Sequence, residues 1–289
     1  MDPTVPIADS PVHPSRGVPL RRRPVLVFIT VTFLESYGLG TLGLFLAGAS
    51  ASALNDVANL YLGRLFVVAG PTCGAIFALA ITSGRAAIKP FLSRGLSLPA
   101  MWWAPFLLPV FGVAIVAAAY VAAGVSLEAC ARIVSEAWPL LLAHIALQIL
   151  VVGLGEELGW RGWLIPTLTA RYGLARATAI TGAIWYLWHL PILLGGVADA
   201  FWFALVIGGL SILFSLLWRW SGGSALVPAV AHGSINAPVV FITAMLPHAN
   251  HHLAWSILAG SLAGLALVAL LCTRRQWRKA PAPVAVGNP

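Results

Sequence analysis

Charge is scarce in this sequence. Of its 289 residues 9% are Asp, Glu, Lys or Arg, while 60% are hydrophobic and the mean hydropathy is +0.90. A soluble domain carries about 25% charged residues because its surface must face water. This chain has too few to cover such a surface, which excludes a soluble globular domain, a coiled coil, a disordered polymer and a soluble nucleic-acid binder. Cysteine is scarce too. Cys73, Cys130 and Cys272 are far apart, with no CxxC and no Cys/His zinc spacing, so a disulfide framework or zinc module is not expected. No internal repeat is evident, the loops are too short for a soluble domain, and HExxH does not occur.

What the chain has instead is long apolar runs. A helix crossing about 30 Å of hydrocarbon needs about 20 apolar residues. Eight stretches qualify: 25–49, 58–83, 101–124, 137–158, 174–196, 200–218, 224–246 and 253–272. The expected fold class is an all-α, polytopic membrane protein of about eight transmembrane helices, with the bilayer as partner and no nucleic acid. Residues 1–24 contain the Arg21–Arg23 cluster and many prolines, and are expected to form a disordered cytosolic lead rather than a signal peptide. Residues 25–272 form a single transmembrane domain, and 273–289 a basic tail. Three GxxxG pairs, Gly70/Gly74, Gly155/Gly159 and Gly260/Gly264, permit close helix contacts but are expected by chance among 28 glycines.

The positive-inside rule sets the orientation. With both termini cytosolic, fifteen of the seventeen Lys and Arg residues fall on the cytosolic side, Arg161, Arg171 and Arg176 among them. Arg64, near the outer end of the second segment, and Arg132, in an outer loop, are the exceptions. Asp56, Glu128, Glu136 and Asp199 fall on or near the outer side. Cys130 is expected outside and Cys272 at the cytosolic end of the last segment. A bacterial plasma membrane is the expected location.

An ionisable group inside a membrane segment is costly unless paired or hydrated, which makes each one a functional candidate. The candidates are Glu35, His144, Glu156, Glu157, Arg161, His189 and His232, with Asn236 as a polar neighbour. Glu157 and Arg161 stand at i,i+4 with the acid leading, the favoured orientation for an intrahelical ion pair. Glu156 is rotated about 100° away and is left free to act as a base. His232 and Asn236 are also i,i+4, so a neutral His N–H and an Asn amide could donate to one developing oxyanion. His189 lies two residues before Pro191 and could hold and polarise a water together with Glu156. Glu35 and His144 are read as packing or hydrogen-bonding residues. His248, His251 and His252 are read as a wet outer turn, and the Trp-rich stretches at 102–103, 160–163, 185–188 and 218–220 as interfacial belts or packing.

Taken in order, Glu156-Glu157-xxx-Arg161, an aromatic-xxx-His189 and His232-xxx-Asn236 resemble the three motifs of the CAAX protease and bacteriocin-processing (CPBP, also Abi) family. These multi-pass intramembrane proteases include the type II CAAX prenyl endopeptidases. The motif-bearing core covers about 137–245, and Trp185 stands where the family usually has Phe. The resemblance implies eight helices around a cytosol-open polar cavity. It implies that Glu156 and His189 activate water, that His232 and Asn236 form an oxyanion hole, and that Glu157 and Arg161 support the site. The implied substrate is a membrane-associated or lipidated peptide, with prenylated CAAX-type peptides included in that class. Members have often been labelled metalloproteases. Glu156, His189 and His232 would be the ligands of a zinc ion here, but Asn236 suits an oxyanion better, so no cofactor is the favoured expectation. The alternatives are a noncatalytic membrane scaffold or bacteriocin self-immunity protein on the same fold, and, ranking last, a small-solute transporter.

Overall fold

The computed structural model describes residues 23–40, 42, 57–97, 101–189, 196–246 and 248–278. Among them every regular element is helical. In hydrocarbon each backbone N–H and C=O must be satisfied inside its own segment, and a helix does this without a partner strand. The chain runs through α1 (Arg23–Leu34, continued by a π turn over Glu35–Leu39), α2 (Val57–Val68), α3 (Gly70–Ser83) and the short, amphipathic α4 (Ile88–Gly95). There follow α5 (Ala104–Ala122), α6 (Leu127–Tyr172), α7 (Leu174–Trp188), α8 (Val197–Trp220), α9 (Leu226–Met245), α10 (His251–Cys272) and α11 (Arg274–Arg278).

Six helical runs are long and apolar enough to cross a membrane: Arg64–Ser83, Ala104–Ala122, Leu127–Tyr172, Val197–Trp220, Leu226–Met245 and His251–Cys272. They match six of the eight segments read from the sequence and make this an integral membrane protein. The other two run into residues outside the described ones: 41 and 43–56 in the first segment, and 190–195 in the fifth. Pro191, Asp56, residues 1–22 of the expected lead and 279–289 of the expected tail also lie outside the described residues.

α9 is the central helix, with 72% of its apolar window buried against 22% for α10. It packs on α5 and on the middle of α6, while α8 pairs with α10 and α1 with α3. Glycine sets how closely some of these helices pass. A Cβ on Gly74 would collide with the Thr32 hydroxyl and the Phe28 carbonyl of α1, and one on Gly159 with the backbone of Pro71. Two of the three GxxxG pairs therefore work as contact faces, whereas Gly260 and Gly264 meet nothing within 4 Å.

The fourth segment departs most from expectation. It begins at Leu127, where the Ser126 hydroxyl caps the Ala129 amide at 3.1 Å, and stays helical to Tyr172. Pro139 has no N–H to donate, and the helix kinks just before it, at Ala137 (φ −116°, ψ 19°). Two further irregularities are π turns, Gln148–Gly153 and Leu158–Leu164, on either side of the Glu156-Glu157 pair. Arg161 therefore lies inside the helical run with 0% exposure, not in a cytosolic stretch, and drops out of the charge bias. Cys130 is 3% exposed within α6 rather than open to the outer solution.

Candidate functional site

The two π turns flank the consecutive glutamates, both of which are buried. Each inserts an extra residue and shifts the phase of the residues after it. Glu156 and Glu157 end up 2% and 0% exposed, although neighbours on a regular helix point about 100° apart. At Gly153 the backbone of α9 at Ala229 passes so close that any side chain would collide. This approach brings α9, with His232, onto the glutamates.

Glu157 and Arg161 form the i,i+4 pair that their spacing suggests. Arg161 Nη1 lies 3.0 Å from Glu157 Oε1 and 2.9 Å from Oε2. The guanidinium is sandwiched, its carbon 4.6 Å from the Trp185 ring centre and 5.1 Å from that of Phe214. The pair is not closed on itself, because Glu157 Oε1 also meets His232 Nδ1 at 2.9 Å. Glu157 thus joins Arg161 of its own helix to His232 of α9.

That contact changes the chemistry available to His232. An ionised carboxylate only accepts, so the Nδ1 proton belongs to the contact with Glu157. A neutral ring would then carry no proton on Nε2. The neutral His232 donor read from the sequence is therefore replaced: with Glu157 ionised, donation from Nε2 requires the doubly protonated ring.

Glu156 faces a different partner. Its Oε2 accepts a 2.7 Å hydrogen bond from the Trp185 indole N–H, fully buried. The Trp185 ring also lies 5.4 Å from His232, edge to face. Trp185 had been read as packing; a Phe at this position would keep the ring contacts and lose the donor.

His189 follows the last residue of α7, its amide bonded to the Tyr186 carbonyl at 3.0 Å. Its Nδ1 is 2.8 Å from the Trp185 carbonyl. A carbonyl can only accept, so Nδ1 carries the proton, and the neutral ring keeps a lone pair on Nε2. The ring is held edge-on to Trp188 and Phe203, at 4.8 and 4.9 Å. Behind it, the π turn of α1 braces the end of α7: Tyr37 donates to the Trp188 carbonyl at 2.6 Å, and the Trp188 indole donates to Ser36 Oγ at 3.0 Å. Sequence reading missed Ser36, Tyr37 and the two tryptophans because none carries a charge at neutral pH. Their signal was indole and hydroxyl donors clustered beside a histidine.

Asn236 is half-buried one helical turn beyond His232, and its side chain hydrogen-bonds to none of the described residues. Glu35 stands apart, its Oε2 buried without a partner and facing Gly70. His144 also lies elsewhere, bonded to Tyr61 at 3.2 Å. Among the described residues no group of three or more His, Cys, Asp or Glu side chains is arranged to hold a metal ion. The Nδ1 atoms of His189 and His232 are turned to protein partners, which leaves Nε2 as the ring atom through which either could ligate a metal.

The end of the bundle where α9 meets α10 holds a cavity of about 250 Å³ lined by Tyr120, Asp199, Thr243, His251, His252 and apolar side chains. There Tyr120 bonds Thr243 at 2.7 Å and His251 at 3.0 Å, so this part of the expected wet turn is ordered.

A stretch of 45 residues is 42% identical to the CAAX prenyl protease 2 of Methanococcus maripaludis, covering 16% of this chain and 17% of that relative's length. A family model, type II CAAX prenyl endopeptidase Rce1-like, matches residues 137–238. That segment holds Glu156, Glu157, Arg161, Trp185, His189, His232 and Asn236. Over residues 137–238 this integral membrane protein is thus similar to the Rce1-like type II CAAX prenyl endopeptidases.

Proposed function

We propose that this chain is an intramembrane endopeptidase that hydrolyses a peptide bond of a membrane-associated, lipidated substrate with a glutamate-activated water. The observation that carries the reading is the buried network in which Trp185 holds Glu156 while Arg161 and Glu157 hold His232. Its residues all lie in the segment matched by the endopeptidase family.

In the proposed reaction, a water lies between Glu156 and the Nε2 lone pair of His189. Glu156 takes one proton, and the oxygen attacks the scissile carbonyl carbon. The carbonyl oxygen becomes an oxyanion, which accepts hydrogen bonds from His232 Nε2–H and the Asn236 amide. As the C–N bond breaks, Glu156 passes its proton to the departing nitrogen, leaving a carboxylic acid and an amine. The doubly protonated His232 that this requires fits the local charge balance. Glu156 and Glu157 contribute two negative charges, Arg161 and His232 two positive ones, and a buried set that sums to zero avoids an uncompensated charge. No metal takes part in this scheme.

With both termini cytosolic, the site opens toward the cytosolic leaflet, where lipid-anchored substrates lie. The test is a proteomic comparison of membranes that contain the wild type or Glu156→Ala. Peptides present only with the wild type, bearing new ends near a lipid anchor, are the expected result. Identical peptide sets from the two would instead favour a noncatalytic scaffold.

A further inference from the structure

Between α7 and α8 lies a row of buried hydroxyls. Thr178 and Thr181 on α7 and Ser211 and Ser215 on α8 are each at most 4% exposed, and none of the four hydroxyls has a hydrogen-bond partner among the described residues. Inside a helix such a hydroxyl commonly bonds the carbonyl four residues back. Ser234 and Ser261 do so here, at 2.6 and 2.8 Å. The four in the row do not. Gly182 of α7 meets Ser211, where a Cβ would stand 2.9 Å from the Ser211 Oγ, and His189 meets Phe203, so the two helices run antiparallel. One turn along from the Gly182–Ser211 contact, the same register sets Thr178 opposite Ser215, with Thr181 between the two levels.

The row ends on Arg161. Glu157 engages Nη1, whereas Nε and Nη2, fully buried, have no hydrogen-bond partner among the described residues. The guanidinium lies between one ring from each helix, Trp185 of α7 and Phe214 of α8. Helical side chains lean toward the N-terminus of their own helix. Trp185 therefore leans toward Gly182 and Phe214 toward Ser211, which puts the guanidinium at the inner end of the row. At the other end, Thr178 stands one turn inside the start of α7, beside the exposed Arg171 and Arg176.

These groups define their ligand. A hydroxyl both donates and accepts, and the free edge of Arg161 only donates. An anion is not called for, because Glu157 already balances Arg161. The close passage of Gly182 against Ser211 leaves no space for an organic molecule. Water fits on every count, since it takes two to four polar partners. Levels one turn apart are separated by about 6 Å, the span of two hydrogen bonds of about 2.8 Å meeting at one water.

We propose that Thr178, Thr181, Ser211 and Ser215 bind a file of water molecules that runs from the basic end of α7 to Arg161 and replenishes the water consumed at Glu156. Arg161 is close enough to Glu156 to act on it electrostatically. Each hydrolysis consumes one water, and a lipidated peptide that fills the cavity shuts out the bulk. A route through the wall of the bundle keeps the site supplied while the substrate is in place. The inference deepens the proposed function, and its supply role rests on Glu156 being the base.

The test uses the full chain in nanodiscs with a thiol in place of one hydroxyl, Ser211→Cys or Ser215→Cys. Replacement of S–H by S–D after transfer to heavy water is read by infrared difference spectroscopy against the parent protein. Both thiols should exchange about tenfold or more faster than that of Leu216→Cys, a position 0% exposed among apolar side chains of the same helix. Adding Thr178→Val should slow exchange at Ser211→Cys, because it cuts the file at its outer level, and Thr178→Ser should leave it fast. Exchange as slow as in Leu216→Cys overturns the proposal, as does exchange at Ser211→Cys that ignores Thr178→Val. In cleavage of a farnesylated peptide, Thr178→Val combined with Ser215→Ala should lower kcat about tenfold with KM nearly unchanged. An unchanged kcat overturns the supply role. Should that pair not accumulate, exchange at the single thiols decides. Wild-type protein that cleaves nothing would count against the proposed function, and slow thiol exchange against the water file.

Discussion

The indole nitrogen of Trp185 donates to Glu156 Oε2 at 2.7 Å, across 29 residues of sequence and inside the bundle. A hydrogen bond to a charged group contributes about 1.5–3 kcal/mol, enough to fix which way the carboxylate faces. Trp185→Phe keeps the ring that packs on His232 and under Arg161 and removes only the donor. Turnover should fall about tenfold or more with KM little changed and the thermal transition retained. A kcat equal to wild type would mean that the indole merely fills space.

Glu156→Gln should abolish peptide hydrolysis while the protein accumulates normally. The amide keeps the shape, and its oxygen can still accept from Trp185, but it cannot take a proton from water. General-base assistance contributes about 10²–10⁴ in rate. Full activity in a continuous fluorogenic assay would rule out Glu156 as the base.

Arg161→Ala acts on stability as well as on activity. It strands Glu157, buried and still bonded to His232, and breaking a buried pair from one side costs about 3–5 kcal/mol. Accumulation in membranes and the unfolding temperature should both drop clearly, unlike in Glu156→Gln. Unchanged stability would show that Glu157 finds another partner or loses its charge.

Asn236→Ala should lose about 10²–10³ in turnover and still bind peptide, the pattern of a donor used mainly in the transition state. Chelators should leave wild-type turnover unchanged. One zinc per purified chain, absent from His189→Ala and His232→Ala, would replace the water-activation scheme with a metal-based one.

Topology can be read from cysteines, but not from Cys130, which is buried at 3% exposure. Its neighbour Glu128 is exposed, paired at 2.8 Å with Arg132, which is exposed as well. An impermeant maleimide applied to intact cells should label Glu128→Cys and not the exposed Cys272. The reverse labelling would invert the orientation and overturn the proposed opening of the site toward the cytosol.

Much of this protein is legible in its sequence because the relevant physics is local. Nine per cent charge cannot cover a soluble surface, and runs of 20 apolar residues must be helices in lipid, so the membrane class and six of the spans follow without coordinates. The Glu157–Arg161 pair follows from i,i+4 geometry alone. What the sequence left open depends on the register between helices. No periodicity places His232 on Glu157, 75 residues away. That contact comes from glycine-close passage of α9 over α6, beside a helix whose phase is shifted by π turns on either side of the glutamates, none of which hydropathy encodes. Arg161 looked like a cytosolic charge because burial cannot be read from a residue's identity. Trp185 looked like packing because an indole's donor matters only once a carboxylate stands 2.7 Å from it. Local spacing determined the parts and their charges; helix contact geometry decided which part faces which.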